Sequence, residues 1–133
     1  SMSDILVIST NHIKHDTVEF LNSQSVHKTV NAITVNDSSP QGWTIEIDKD
    51  AFDKTKCEDL PSDLGICIMF ALDHDHNSFK LEPEGQIIAY MPRYTYAAFD
   101  DENQPGLEFC YCGPALLYTR VLNEYIQIHE DRH

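Results

Sequence analysis

The apolar positions of the chain change their spacing several times, and each spacing predicts an element. Ile5-Leu6-Val7-Ile8 is a continuous, β-branched run ending at Ser9, which is the pattern of a buried strand. Thr10-Asn11-His12 follows as a turn. Asp16 then stands at the start of a short helix over Thr17 to Ser23, with Val18 and Leu21 on its inner face and Phe20 beside them. Val30 to Val35 and Trp43 to Ile47 alternate, and Asn36-Asp37-Ser38-Ser39-Pro40-Gln41-Gly42 between them is turn chemistry throughout. That predicts a β-hairpin with Trp43, Ile45 and Ile47 facing inward and Thr44, Glu46 and Asp48 outward.

Downstream, Asp48 to Asp63 is polar and reads as an exposed connection with one helical turn around Ala51-Phe52. Leu60-Pro61-Ser62-Asp63-Leu64 opens the next element. Proline suits a first helical turn and an acid suits the positive end of the helix dipole, so Leu64 to Leu72 is predicted to be a buried helix. Its alternation of Ile66, Ile68 and Phe70 also fits a strand. Phe79-Lys80-Leu81 and Ile87-Ile88-Ala89-Tyr90 flank Glu82-Pro83-Glu84-Gly85-Gln86, a second hairpin signal. Arg93 to Phe99 is aromatic-rich and reads as an edge strand. Leu107, Phe109 and Tyr111 alternate with Glu108, Cys110 and Cys112 as a further strand. Leu116, Leu117, Val121, Leu122, Tyr125 and Ile126 recur at helical spacing, so an amphipathic helix is predicted at the end. The sum is an α+β fold, a small mixed or antiparallel sheet with two or three helices packed on it. Its core should include Leu6, Ile8, Trp43, Ile45, Ile68, Phe70, Leu107, Phe109 and Leu122.

Length and composition support one unit rather than several. The 133 residues are 41% hydrophobic, enough for one core, and no linker or internal repeat divides them. The expected domain is 2–133, with Ser1 ahead of Met2 read as a scar of expression. The first apolar run is too short for a signal peptide and no stretch approaches a spanning helix, so a cytoplasmic location is expected. Four cysteines, Cys57, Cys67, Cys110 and Cys112, do not demand a disulfide framework at this size.

Charge changes the picture most. Twenty-two acids against nine basic residues give a net charge of −13. A field of that sign repels a phosphate backbone and attracts a basic protein surface. Direct binding of nucleic acid and of membrane is therefore not expected. The candidate surface is Asp48, Asp50, Asp53, Glu58 and Asp59 together with the loop Asp100, Asp101 and Glu102. The competing explanation is that the charge only keeps the protein soluble.

Signatures for chemistry are thin. There is no G-x-S-x-G, H-E-x-x-H, G-x-x-x-x-G-K or G-x-G-x-x-G, and no catalytic residue or cofactor is assigned. His74 and His76 with Cys110 and Cys112 carry the right atoms for zinc, but each pair brackets one residue where structural sites usually bracket two to four. Cys67 lies in an apolar run and Cys57 in an acidic one, neither of which favours a thiolate. Ser9 to His12 ends the first strand, where a hydroxyl and an imidazole would act together in a hydrolase; a turn that satisfies its own backbone explains it as well. Glu82 and Glu84 are more simply turn residues than paired carboxylates.

The order of motifs also carries a resemblance. Ile8-Ser9-Thr10-Asn11-His12-Ile13, Gly42-Trp43, Leu60-Pro61-Ser62-Asp63-Leu64, Phe79-Lys80-Leu81-Glu82-Pro83-Glu84-Gly85 and Met91-Pro92-Arg93-Tyr94 follow one another. Over roughly residues 5 to 96 this resembles an uncharacterised family of small bacterial proteins, a domain of unknown function carried on plasmids, prophages and genomic islands. The chain departs from it at Glu82-Pro83-Glu84-Gly85, where the family pattern is D-x-D-G, at Asn11, where a small residue is usual, and in the tail from Asp100. The resemblance implies no reaction. It implies a setting on mobile DNA, where small acidic proteins antagonise host defences. The expected function is a non-enzymatic binding or inhibitory protein docking on a basic, nucleic-acid-handling partner, in its sharpest form as a DNA mimic. The rivals are a metal protein or hydrolase at the residues above, or a homodimer paired through Tyr94, Tyr96 and Phe99; either monomer or homodimer fits the pattern.

Overall fold

The computed structural model describes residues 5–38, 41–56, 59–94 and 113–130. β1 (Val7–Ser9) leads into a 3-10 turn, Thr10–His12, and then α1 (His15–Val26). The hairpin β2 (Ile33–Asp37) and β3 (Trp43–Ile47) follows, then α2 (Ser62–Asp73), β4 (Ser78–Glu82) and α3 (Pro114–Glu130). The four strands form one sheet in the order β1-β4-β3-β2. β1 and β4 run parallel, and the other two pairings are antiparallel. This is the expected α+β fold, with a mixed sheet and, among the described residues, three α-helices.

The hairpin forms as its alternation requires. Val35 lies opposite Ile45 and Ile33 opposite Ile47, all four buried, while Glu46 points to solvent. Trp43 is buried and its Nε1–H donates to Asn22 Oδ1 of α1 at 3.1 Å, which satisfies the indole's one polar atom. α2 is buried on nearly every side: Leu64, Ile66, Cys67, Ile68, Phe70 and Ala71 all lie in the core. α3 packs along it through Leu117, Tyr118 and Val121. Leu6 and Leu122, expected in the core, are partly buried against it.

Three expectations need correction. The first is the second hairpin. β4 has β1 on one side and β3 on the other, so a central strand has no free edge for a hairpin arm. Instead the Pro83–Gly85 turn crosses the end of β1. Gly85 makes that crossing, since a Cβ there would sit 2.4 Å from the backbone carbon of Ile8. Gln86 then forms a parallel bridge with Ile8 on the outer edge of β1. Beyond it the buried residues are Ile88, Met91 and Tyr94, a spacing of three that breaks the strand alternation.

The second concerns α1, which starts at His15 and runs to Val26 with Thr17, Leu21 and Gln24 as its buried residues. The third concerns α3, whose buried face is turned so that Tyr118 lies inside while Leu116 and Ile126 are exposed. The expected strand at Leu107, Phe109 and Tyr111, and Tyr96 and Phe99 of the aromatic segment, lie outside the described residues. Among the described residues no helix is long and apolar enough to cross a membrane.

Candidate functional site

The acidic connection between β3 and α2 begins as two small turns built by its own carboxylates. Asp48 Oδ1 accepts the N–H of Asp50 at 3.0 Å and of Ala51 at 3.3 Å, and Ala51 and Phe52 N–H both donate to the Asp48 carbonyl. That is the helical turn expected around Ala51-Phe52, and it seats Phe52 against the core. Asp53 Oδ1 accepts the backbone N–H and the hydroxyl of Thr55, at 2.9 and 2.5 Å. Those bonds hold the Asp53 carboxyl below its ordinary value. Asp48, Asp50, Asp53 and Asp59 are all exposed, and no ion pair among the described residues involves any of them. Lys49, Lys54 and Lys56 share the connection and dilute its charge. A pocket floored by Ala51, Phe52 and Leu60 lies between Asp53, Lys56 and Asp59.

Midway along it, this loop is pinned by the start of α3. Ala115 N–H, in the first turn of α3, donates to the Lys54 carbonyl at 2.9 Å. Gly113 precedes it at a φ of +91°, with its α-carbon so close to Thr55 that a Cβ would meet that residue's carbonyl carbon at 2.3 Å. The stretch from Asp48 to Thr55 is therefore held in shape. Glu58, Asp100, Asp101 and Glu102, the rest of the expected surface, lie outside the described residues.

Asp63, the last acid of the stretch, is not part of that surface. It is buried at the meeting of two helix N-termini. Its carboxylate accepts the N–H of Lys14, the N-cap residue of α1, at 2.6 Å, the Thr17 hydroxyl at 2.7 Å and the N–H of Leu64 at 3.0 Å. α1 thus has its cap supplied from 49 residues away in sequence. Burial pushes the Asp63 carboxyl above its ordinary value, and the bonds from Thr17, Lys14 and Leu64 oppose that. Four residues on, burial and then Asp63 push the Cys67 thiol up, so it is an inert core residue.

Among the described residues, those expected for other chemistry form no metal-binding group, and several are already hydrogen-bonded. His74 closes α2, stacks on Phe70 with ring centroids 4.2 Å apart, and places Nδ1 2.9 Å from the Phe70 carbonyl. No group of three or more metal-ligating side chains is gathered among the described residues, and Cys110 and Cys112 lie outside them. At the end of β1, Ser9 Oγ accepts the Asn11 N–H, while both nitrogens of His12 bind backbone groups of 88 and 92. That imidazole has no free nitrogen for a hydroxyl nucleophile.

A polar cluster that alternation did not reveal lies where α2 meets α3. Tyr118 donates to Asp73 Oδ2 at 3.2 Å and shares a 2.9 Å hydrogen bond with Tyr90. Burial and then the Tyr90 bond push the Tyr118 phenol well above its ordinary range. Tyr118 falls within the expected helix but outside the apolar spacing that predicted it, and its inward direction depends on how α3 is rotated on α2.

Residues 5–96 match the model for the C-terminal domain of a family of unknown function, DUF5983. The chain belongs to this family. No curated protein and no solved structure matches it. The family match ends before α3, yet Leu117 and Val121 of that helix lie in the same core as the matched strands. The DUF5983 domain of this chain is therefore completed by a helix from outside the match.

Proposed function

We propose that this protein is a non-enzymatic acidic docking protein, which binds a basic surface of another protein through the β3–α2 connection. The observation that carries the reading is the arrangement of Asp48, Asp50, Asp53 and Asp59. They are exposed and free of ion pairs with described residues, and the first three stand on a stretch held by its own Asx turns and by α3. Preorganised carboxylates lose little freedom on binding, so their attraction for cations is not spent on ordering the loop. The overall charge of −13 adds long-range steering toward a positive partner. In its finer form the partner handles nucleic acid and is inhibited by occupation of its phosphate-binding face, as an anti-defence protein of a mobile element would act. Asp100, Asp101 and Glu102 would extend the surface.

The test begins with affinity capture from a bacterial lysate, followed by surface plasmon resonance against the captured protein at two salt concentrations. Steering predicts that raising salt slows association steeply, because the screening length falls from ~8 Å at physiological ionic strength to ~3 Å at 1 M. Association that ignores salt, or a partner whose contact surface is not basic, rejects the proposal. Competition by duplex DNA for the same partner separates the DNA-mimic form from a simpler acidic contact.

A further inference from the structure

After crossing β1, the chain runs over the 3-10 turn as a strap spanning 86–94. Backbone hydrogen bonds tie both its ends. Gln86 N–H donates to Val7 O at 2.8 Å and Ser9 N–H to Gln86 O at 2.9 Å, while Tyr94 N–H donates to Asn11 O at 2.8 Å. Between these ends His12, which is only 2% exposed, binds the strap's backbone at two points, and Tyr90 of the strap bonds Tyr118 of α3. His12 Nδ1 lies 2.7 Å from the Pro92 carbonyl, and its Nε2 lies 2.9 Å from the Ile88 nitrogen. A carbonyl can only accept and a backbone N–H can only donate. The imidazole must therefore donate from Nδ1 and accept at Nε2, which the neutral Nδ1–H tautomer alone can do. An imidazolium carries a second N–H at Nε2 and sets it against the Ile88 N–H.

We infer that His12 is a proton-operated latch: protonation at Nε2 expels the Ile88 amide and releases the strap 86–94 from the 3-10 turn, while the β2–β3 hairpin stays folded. The inference stands apart from the acidic-surface reading and uses none of its residues. Burial pushes His12 below its ordinary value of 6.5, the Pro92 bond raises it, and Arg93 lowers it. Among the described residues Arg93, on the strap itself, is the charge that acts on the ring, and it has the sign of an imidazolium. With the folded-state value below 6.5, the latch holds above that pH and weakens as pH falls toward the folded-state value. Release would take Ile88, Met91 and Tyr94 out of buried sites and free the Val7 carbonyl and Ser9 amide on the outer edge of β1 for another strand.

The test is NMR on the full chain between pH 7.5 and 4.5, reading the His12 ring nitrogens and amide exchange together. The expected result is a neutral Nδ1–H imidazole at the upper end. Below pH 6.5 the protection of Ser9, Gln86, Ile88 and Tyr94 amides should fall in step by up to about tenfold per pH unit, while β2–β3 amides keep theirs. His12→Gln retains one donor and one acceptor but does not titrate, so strap protection in that variant should not follow pH across the window. An Nε2–H tautomer overturns the inference. So does titration of His12 with the strap still protected, the same loss in His12→Gln, or loss of β2–β3 protection in step with the strap. If His12→Gln does not fold, the wild-type tautomer and amide titrations decide the matter alone.

Discussion

Asp53 and Asp63 stand ten residues apart in one acidic stretch, and the fold puts them to opposite uses. Asp53 faces water, binds the N–H and hydroxyl of Thr55, and has its carboxyl pulled down by those bonds. Asp63 is buried against Thr17 and the amide of Lys14, and desolvation pushes its carboxyl up. One carboxylate shapes a surface and the other joins two helices. A count of acids in a segment therefore overstates the charge that segment shows to a partner, and here the difference lies at the start of α2.

The size of the Asp63 effect is best set against an apolar yardstick. Trp43→Ala removes a buried ring and leaves the Asn22 carbonyl without its indole donor, so a loss of about 3–5 kcal/mol is expected in urea unfolding. Asp63→Ala leaves the α1 cap and the Thr17 hydroxyl without an acceptor, which should cost about 1–3 kcal/mol. Asp63→Asn keeps an acceptor oxygen and should cost less than Asp63→Ala. If Asp63→Ala unfolds at the wild-type urea concentration, the joint between α1 and α2 contributes nothing and the contrast with Asp53 disappears.

Elements whose signal is local were legible in the sequence. The β2–β3 hairpin follows from alternation around a turn-rich loop, and α2 follows from Leu60-Pro61-Ser62-Asp63 ahead of an apolar run. What was not legible depends on contacts between distant segments. The 87–90 stretch has strand-like composition, but the pairing of β4 with both β1 and β3 leaves it no edge. The cap of α1 comes from α2, so no residue near Lys14 announces it. His12 shows the same limit at the candidate site. Its place beside Ser9 suggested hydrolytic chemistry, and two backbone groups 76 and 80 residues downstream instead occupy both its nitrogens.

The two aspartates also predict opposite slopes with pH. Asp63 holds its proton more tightly when folded than its ordinary value of 3.8 allows. Its ionised form therefore costs stability above the raised folded-state value, and that cost is relieved as pH falls through this value toward 3.8. Asp53 is held below 3.8, so its contribution is present above 3.8 and is lost as pH falls beneath it. Urea midpoints measured across the acid range should show Asp63→Asn losing the relief and Asp53→Asn losing the decline. A profile unchanged by Asp63→Asn would mean that the hydrogen bonds to this carboxylate offset its desolvation.

The smallest effect on stability should come from the exposed end, and it is there that binding should respond most. Replacing Asp48, Asp50, Asp53 and Asp59 together by Asn removes four charges. Asn offers the same oxygen acceptor to the amides of residues 50, 51 and 55, so both Asx turns can persist. The urea midpoint at neutral pH should stay near that of the wild type, since exposed charges contribute little to a fold. Association with a basic partner should slow at low salt and approach the wild-type rate at high salt, because the lost term is long-range attraction. Dissociation should change less, as rim charges act mainly on encounter. If the fourfold variant folds normally and associates at the wild-type rate at low salt, the charge of the β3–α2 connection serves solubility, and recognition must lie on another face.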